Sequence, residues 1–236
     1  MFFYINWTYI LMVLPAFIFA LWASSKVNST FNYYSKEYSR CNETGSSIAR
    51  KALDKHGLTH IRIEKVGGNL TDHYDPRNNV IRLSSTVYNS TSVAALGVAL
   101  HEVGHAIQYK EGYFPIKLRN AIIPLTNISS RLAMPLIIIG ILLSSIAEGY
   151  DIVAYIGVAL FGVAVLFQLI TLPVEFNASN RAIKQLENSY ILDESELEGA
   201  KKVLSAAALT YVASLAVSLS QFMYLFRLVG RRSNRR

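Results

Sequence analysis

Residues 92–109 read Ser-Val-Ala-Ala-Leu-Gly-Val-Ala-Leu-His-Glu-Val-Gly-His-Ala-Ile-Gln-Tyr. The run Val93 to Leu100 is uncharged, so the pattern predicts a single buried helix from Ser92 to Tyr109. On that helix His101 and His105 stand four residues apart, with Glu102 between them. Their imidazoles share one face, one turn apart, and two nitrogens can meet one Zn²⁺ at about 2.0–2.1 Å without straining the backbone. Glu102 is then placed to take a proton from the water that the metal activates, the general-base arrangement of a metalloprotease. A solvated helix could carry the same pattern idly. The apolar approach to His101 argues otherwise, because two imidazoles and a carboxylate on a buried helix need a partner. Gly104 costs about 1 kcal/mol of helix propensity, a cost best understood if something packs closely against the backbone there.

A catalytic zinc site needs a third protein ligand and leaves one position for water. The nearest option fails, since an HExxHxxGxxH arrangement needs Gly at 108 and His at 111, where the chain has Gln108 and Glu111. Among distant residues Glu175 stands out. It follows Leu172-Pro173-Val174 and precedes Phe176-Asn177-Ala178-Ser179-Asn180-Arg181-Ala182, which reads as a helix start with Glu175 in its first turn. The residues alone leave a second reading equally open, a first-turn Glu placed there by the helix dipole. Asp72, His73, Asp75 and Glu111 are the next candidates.

Composition sets the surroundings. The chain has 236 residues, 52% of them hydrophobic, and a net charge of +7, and the apolar residues fall in blocks. Phe2 to Ala23 is uncharged and long enough to cross a bilayer core, with Trp7, Tyr9 and Trp22 suited to its interfaces. A retained anchor fits better than a signal peptide, because the basic n-region is missing and Trp22-Ala23-Ser24-Ser25 is a weak cleavage site. Leu132 to Ala147 and Ile152 to Val174, joined by Glu148-Gly149-Tyr150-Asp151, read as a transmembrane hairpin, and Val203 to Phe226 as a fourth block richer in hydroxyls. The expected organisation is an anchor at 1–25, a catalytic domain at 26–131, the hairpin at 132–174, a helical segment at 175–202 bearing the third ligand, and a hydrophobic helix with a basic tail at 203–236.

Between the blocks the chain is mixed. Ser46 to His56 has helical periodicity, Ile61 to Val66 and Val80 to Leu83 read as strands with a turn at Asp75-Pro76-Arg77-Asn78-Asn79, and Asn177 to Lys202 reads as a helical pair whose second member opens at Asp193-Glu194-Ser195-Glu196. The strand before the zinc helix is expected to offer an exposed edge to an extended peptide, which places Leu70 to Asp75 near the cleft. His73 and Tyr74 suit hydrogen bonding to a developing oxyanion, but each is more often a packed or solvated residue and neither joins the catalytic set. Cys41 is the only cysteine, so no intramolecular disulfide forms. The positive charge borders the apolar blocks, where anionic lipid accounts for it, and no nucleic-acid motif accompanies it.

Asp72-His73-Tyr74-Asp75-Pro76, the helix Val98-Ala99-Leu100-His101-Glu102-Val103-Gly104-His105-Ala106-Ile107-Gln108, and Leu172-Pro173-Val174-Glu175-Phe176-Asn177-Ala178-Ser179 together resemble the YugP-type neutral zinc metallopeptidases of bacterial membranes. The resemblance runs from Phe2 to the last hydrophobic segment. HExxH alone is widely shared, whereas HExxH, a membrane hairpin and then PVEFNAS in this order is far more specific. The resemblance implies a membrane-bound peptidase with one zinc ion, His101 and His105 as ligands and Glu102 as base. The wider Glu-zincin pattern implies Glu175 as third ligand. Enzymes of that pattern often carry Asp four residues after the ligand Glu, where this chain has Ser179, which offers a hydroxyl instead.

The fold expected is a mainly α membrane protein with about four transmembrane helices and a small α+β zincin-like catalytic domain. The function expected is hydrolysis of polypeptide substrates, membrane proteins among them, at the surface of the bilayer. The competing class is a membrane adaptor with a structural zinc, which would need no base at Glu102 and would usually have four protein ligands. Basic residues flank the spans on the catalytic side, from Lys26 to Lys202, whereas the hairpin turn offers Glu148 and Asp151, so the positive-inside rule places that side in the cytoplasm. Four full crossings would set Arg227, Arg231, Arg232, Arg235 and Arg236 against the rule.

Overall fold

A computed structural model describes residues 7–146, 149–188 and 192–233. In chain order the elements are α1 (Trp7–Tyr34), α2 (Gly45–Lys55), β1 (Arg62–Val66), β2 (His73–Asp75), β3 (Val80–Ser84), α3 (Ser85–Tyr88), α4 (Val93–Glu111), α5 (Phe114–Leu143), α6 (Asp151–Asn188) and α7 (Glu194–Ser233). Four of them, α1, α5, α6 and α7, are long and apolar enough to cross a membrane. The protein is thus a mainly α membrane protein with a small α+β part. Phe2, Ala147, Glu148, Arg235 and Arg236 lie outside the described residues.

Contacts divide the chain into two compact units. The first holds the described parts of Met1–Trp22, Leu118–Leu172 and Tyr211–Arg236. Its helices meet through small residues: a Cβ at Gly140 would strike the backbone of Ala154, and one at Gly157 would come within 2.7 Å of Ile137. Close backbone approach of this kind replaces the hydrophobic drive that lipid removes. Around it sit Ile137, Ala154, Val158, Leu225 and Val229, and Tyr9 meets Tyr224 edge to face at 5.0 Å. Leu11, Phe17, Ile18, Ile138, Leu142, Ile152 and Leu169 are exposed, as lipid-facing side chains should be.

The second unit, Ala23–Lys117 with Pro173–Thr210, is built around α4. Ser92 caps that helix by accepting from the Ala95 N–H at 3.3 Å. Gly112, in the left-handed region at φ 64, ends it, and the Tyr113 N–H turns back to the Gln108 carbonyl at 2.9 Å. Most of α4 is buried, and α2, the sheet, α6 and α7 supply its surroundings through Ile48, Leu53, Ile81, Leu83, Ala182, Leu186, Ala200 and Leu204. Asp193 and Glu196 open α7 with reciprocal bonds, each side chain accepting the other's backbone N–H at 2.9 Å.

Three expectations change. Pro173 does not begin a helix, because it lies inside α6, which continues unbroken past Glu175. Proline removes one backbone bond, but ending a helix at the close of an apolar run strands several N–H and C=O groups, so continuation wins. α5 likewise starts at Phe114, ahead of Leu132, and runs through Pro124 and Pro135. The strand Val80–Ser84 is no edge: the order is β1-β3-β2, with β1 parallel and β2 antiparallel to it. A strand paired on both sides has no free edge to offer, and the edges of this sheet are β1 and β2, of which β2 lies against α4.

Candidate metal centre

All three candidate ligands lie in the second unit. The 3.6-residue period brings the imidazoles of His101 and His105 onto one face of α4, with ring centroids 4.8 Å apart and planes nearly perpendicular. Glu175 arrives from α6. Its Oε2 is 3.3 Å from His101 Nε2 and 3.4 Å from His105 Nε2, and the three ligand atoms lie within 4.8 Å of one another. Among the described residues no other group of three His, Cys, Asp or Glu converges in this way.

The two helices can come this close because of Gly104. A Cβ there would stand 2.7 Å from the Ala178 carbonyl oxygen, so the helix-weakening glycine of HExxH leaves room for the backbone of α6 one turn beyond Glu175. A ladder of polar contacts then sets the register. Gln108, fully buried, donates from Nε2 to the Val174 carbonyl at 2.8 Å and to Asn177 Oδ1 at 3.0 Å. Asn177 Oδ1 also accepts from Arg181 Nε at 2.7 Å, and Arg181 Nη2 reaches Glu111 Oε2 at 2.6 Å.

This ladder assigns the proton on one imidazole. The Val174 carbonyl can only accept, so the Gln108 amide must present its NH₂ to α6 and its Oε1 to His105 Nδ1, 3.0 Å away. His105 therefore carries a hydrogen on Nδ1, which leaves Nε2, on the side of Glu175, as its ligand atom. His101 Nδ1 lies 3.1 Å from Ser179 Oγ, whose hydroxyl can donate or accept and so supports the same tautomer without enforcing it. Ser179 thus occupies the place of the carboxylate expected from the wider pattern, and Gln108 is a partner that sequence reasoning missed. Its one signal was position, three residues after His105 on the same helical face.

Glu102 is buried. Burial pushes its carboxyl above the ordinary range, and the charges of Asp72 and Glu175 push the same way against the two histidines. A carboxylate displaced upward holds an abstracted proton better. His105 loses basicity to burial, but its bond to Glu175 and the charge of Glu102 raise it overall. Asp72 was not singled out as a neighbour of Glu102. Its Oδ1 accepts from the Ser84 N–H at 2.7 Å, and its Oδ2 is buried without a hydrogen bond.

The remaining sequence candidates do not join the group. Asp75 pairs with Arg82 at 3.0 Å and Glu111 with Arg181. His73 is exposed on β2, its Nδ1 2.8 Å from the Thr71 carbonyl, and Tyr74 packs edge to face on Tyr109 of α4 at 5.5 Å. What does converge fits zinc: two imidazole nitrogens and one carboxylate oxygen, with a second partner behind each imidazole, are the donor set and support of an open site.

A family model described as "Putative neutral zinc metallopeptidase" matches residues 9–230. A protein of Bacillus subtilis (strain 168) named "Putative membrane protease YugP" is 45% identical over 229 residues, which are 96% of this chain and 99% of that protein. No solved structure matches the chain. Since the match takes in both helices of the site and runs through all four apolar helices, the chain belongs to the neutral zinc metallopeptidase family that the model describes.

Proposed function

We propose that this chain is a membrane-bound zinc endopeptidase of the Glu-zincin type, with His101, His105 and Glu175 as ligands of one Zn²⁺ and Glu102 as general base. The observation that carries the proposal is the convergence of His101 Nε2 and His105 Nε2 on Glu175 Oε2, beside a buried glutamate that no ion pair occupies among the described residues. Zinc held there supplies a Lewis acid that lowers the pKa of water and polarises a carbonyl. Glu102 takes the proton of the attacking water and returns it to the departing amine. Gln108 and Ser179 hold the imidazoles in orientation. β2 offers the free sheet edge beside α4, where an extended peptide gains backbone hydrogen bonds whatever its side chains.

The substrates are polypeptides, with exposed segments of membrane proteins favoured because α6, which carries Glu175, is continuous with an apolar run long enough to cross a membrane. Lys26, Lys117, Arg119, Arg181, Lys201 and Lys202 border those runs on the catalytic side, and by the positive-inside rule that side is cytoplasmic. A structural zinc would leave Glu102 without work. The test is a digestion assay on casein, paired with metal analysis. Glu102→Gln is expected to keep zinc and lose hydrolysis by about 10²–10⁴-fold. Activity within a few-fold of the native chain would remove Glu102 from the mechanism.

A further inference from the structure

Leu70 breaks two local rules at once. Three non-glycine residues among those described have a left-handed backbone, Asn42, Leu70 and Asn79, at φ 52, 53 and 50. Asparagine tolerates this conformation because its short side chain bonds locally, whereas the Cβ of a leucine crowds the following carbonyl. Asn69 stands one place too early to relieve the strain. The strained side chain also goes unburied: Leu70 is exposed and belongs neither to the apolar cluster around α4 nor to the one around Ile137. Strain kept in an exposed apolar residue does nothing for packing, and residues held in such conformations gather at ligand sites.

The loop that carries it is tied on both sides. Thr71 Oγ1 donates to the Gly67 carbonyl at 2.9 Å and Ser85 Oγ to the Gly68 carbonyl at 3.2 Å, while Asp72 Oδ1 takes the Ser84 N–H. These bonds hold the backbone before and after Leu70 and leave its side chain in solvent. β2 sets the place of the loop. Side chains alternate along an extended chain, so Asp72 and Tyr74 face the same way. Tyr74 meets Tyr109 of α4, and the charge of Asp72 reaches Glu102, which lies two turns before Tyr109 on the same helical face. β2 therefore runs along α4 with its N-terminal end toward Glu102. Leu70 is two residues before Asp72, a reach of at most about 7 Å, so a peptide paired with the free edge of β2 passes Leu70 as it reaches Glu102.

We propose that Leu70 is a specificity-determining residue of the peptidase, an apolar wall at the Glu102 end of β2 that receives a bulky aliphatic or aromatic side chain of the substrate beside the scissile bond. Backbone pairing with an edge strand accepts any sequence, and the alternating side chains of the bound peptide carry the selection. The assignment rests on the peptidase reading and adds to it which bonds are cut.

The test is cleavage of a mixed peptide library by the full zinc-loaded chain in detergent, with the products sequenced by mass spectrometry and thermal unfolding measured alongside. The native chain should favour Leu, Ile, Met or Phe at one position flanking the cut. Leu70→Asn suits the left-handed backbone, so its thermal stability should equal or exceed that of the native chain while the preference falls on the order of ten-fold. Leu70→Met, which keeps a long apolar side chain, should retain the preference, and Leu70→Glu should turn the same position toward Lys and Arg. Identical cleavage profiles in the native chain and in the Asn and Glu variants overturn the assignment, as does a uniform fall in rate with the profile unaltered. A clear loss of stability in Leu70→Asn overturns it too, and makes Leu70 a packing residue. A native chain that cuts no peptide brings down the peptidase reading itself, a result distinct from all of these.

Discussion

α4 and α6 each supply one side of the same centre, yet their sequences encode them in opposite ways. α4 carries its boundaries locally: a serine cap accepts the Ala95 N–H, and a glycine in the left-handed region closes the last turn. Such caps contribute about 0.5–2 kcal/mol and act within one turn. α6 carries a contrary local signal, Pro173 two residues before Glu175, and runs through it. An interior proline costs about 3 kcal/mol in water. Its surroundings reverse that preference, since in an apolar setting every alternative leaves more backbone unpaired. Glu175 is therefore presented from the interior of a rigid helix, and a loop or first turn has no part in placing it.

The sharpest way to test this division of labour is to remove one carboxylate from each helix. Glu175→Ala is expected to lose both zinc and hydrolysis, because two imidazoles remain to hold the ion. Glu102→Gln loses only hydrolysis. Competition with a chelator of known affinity distinguishes the two. If Glu175→Ala held zinc as tightly as the native chain, α6 would supply no ligand and the comparison would collapse.

Next in size is the contact between the helices. Gly104→Ala improves helix propensity by about 1 kcal/mol, yet its Cβ would sit 2.7 Å from the Ala178 carbonyl oxygen. The backbone of α6 has to retreat, and Glu175 and Ser179 retreat with it. Displacement on this scale costs on the order of 10²-fold in rate, so hydrolysis should fall while far-ultraviolet circular dichroism holds its helical signal. Hydrolysis within a few-fold of native would show that the Gly104 contact does not position the site.

The contrast between the helices also explains what could be read in advance. The extent of α4, the close approach at Gly104 and the opening of α7 at Asp193 and Glu196 are local hydrogen-bonding or steric facts, written in neighbouring residues. The three ligand candidates named from the chain are those the fold brings within 4.8 Å. The passage of α6 through Pro173 was not legible, because propensity in water is the wrong reference there. Neither was the central place of β3: its neighbour β2 has three residues, too few for a period-2 pattern. Gln108 was passed over because position 108 was judged against the glycine of another motif, and its real partners, Val174 and Asn177, lie 66 and 69 residues away.

That missed glutamine supplies the smallest and most discriminating test, a comparison of the two imidazole supports. Ser179 touches His101 through a hydroxyl that can rotate, and its loss leaves a small space that water can fill. Gln108 is fully buried and fixes its own orientation through the Val174 carbonyl, so its Oε1 dictates the proton on His105. Supports of this kind are worth roughly 10–100-fold in metal affinity or activity. Gln108→Leu, which keeps the volume and removes both functions, should fall toward the upper end of that range, and Ser179→Ala toward the lower. The readout is zinc affinity beside the rate of hydrolysis, with nitrogen-detected NMR of the metal-free protein reporting the tautomer. His105 should lose its fixed Nδ1–H in Gln108→Leu, while His101 changes little in Ser179→Ala. Equal losses in the two variants would mean that volume, and not a directed hydrogen bond, is what α6 provides behind the histidines.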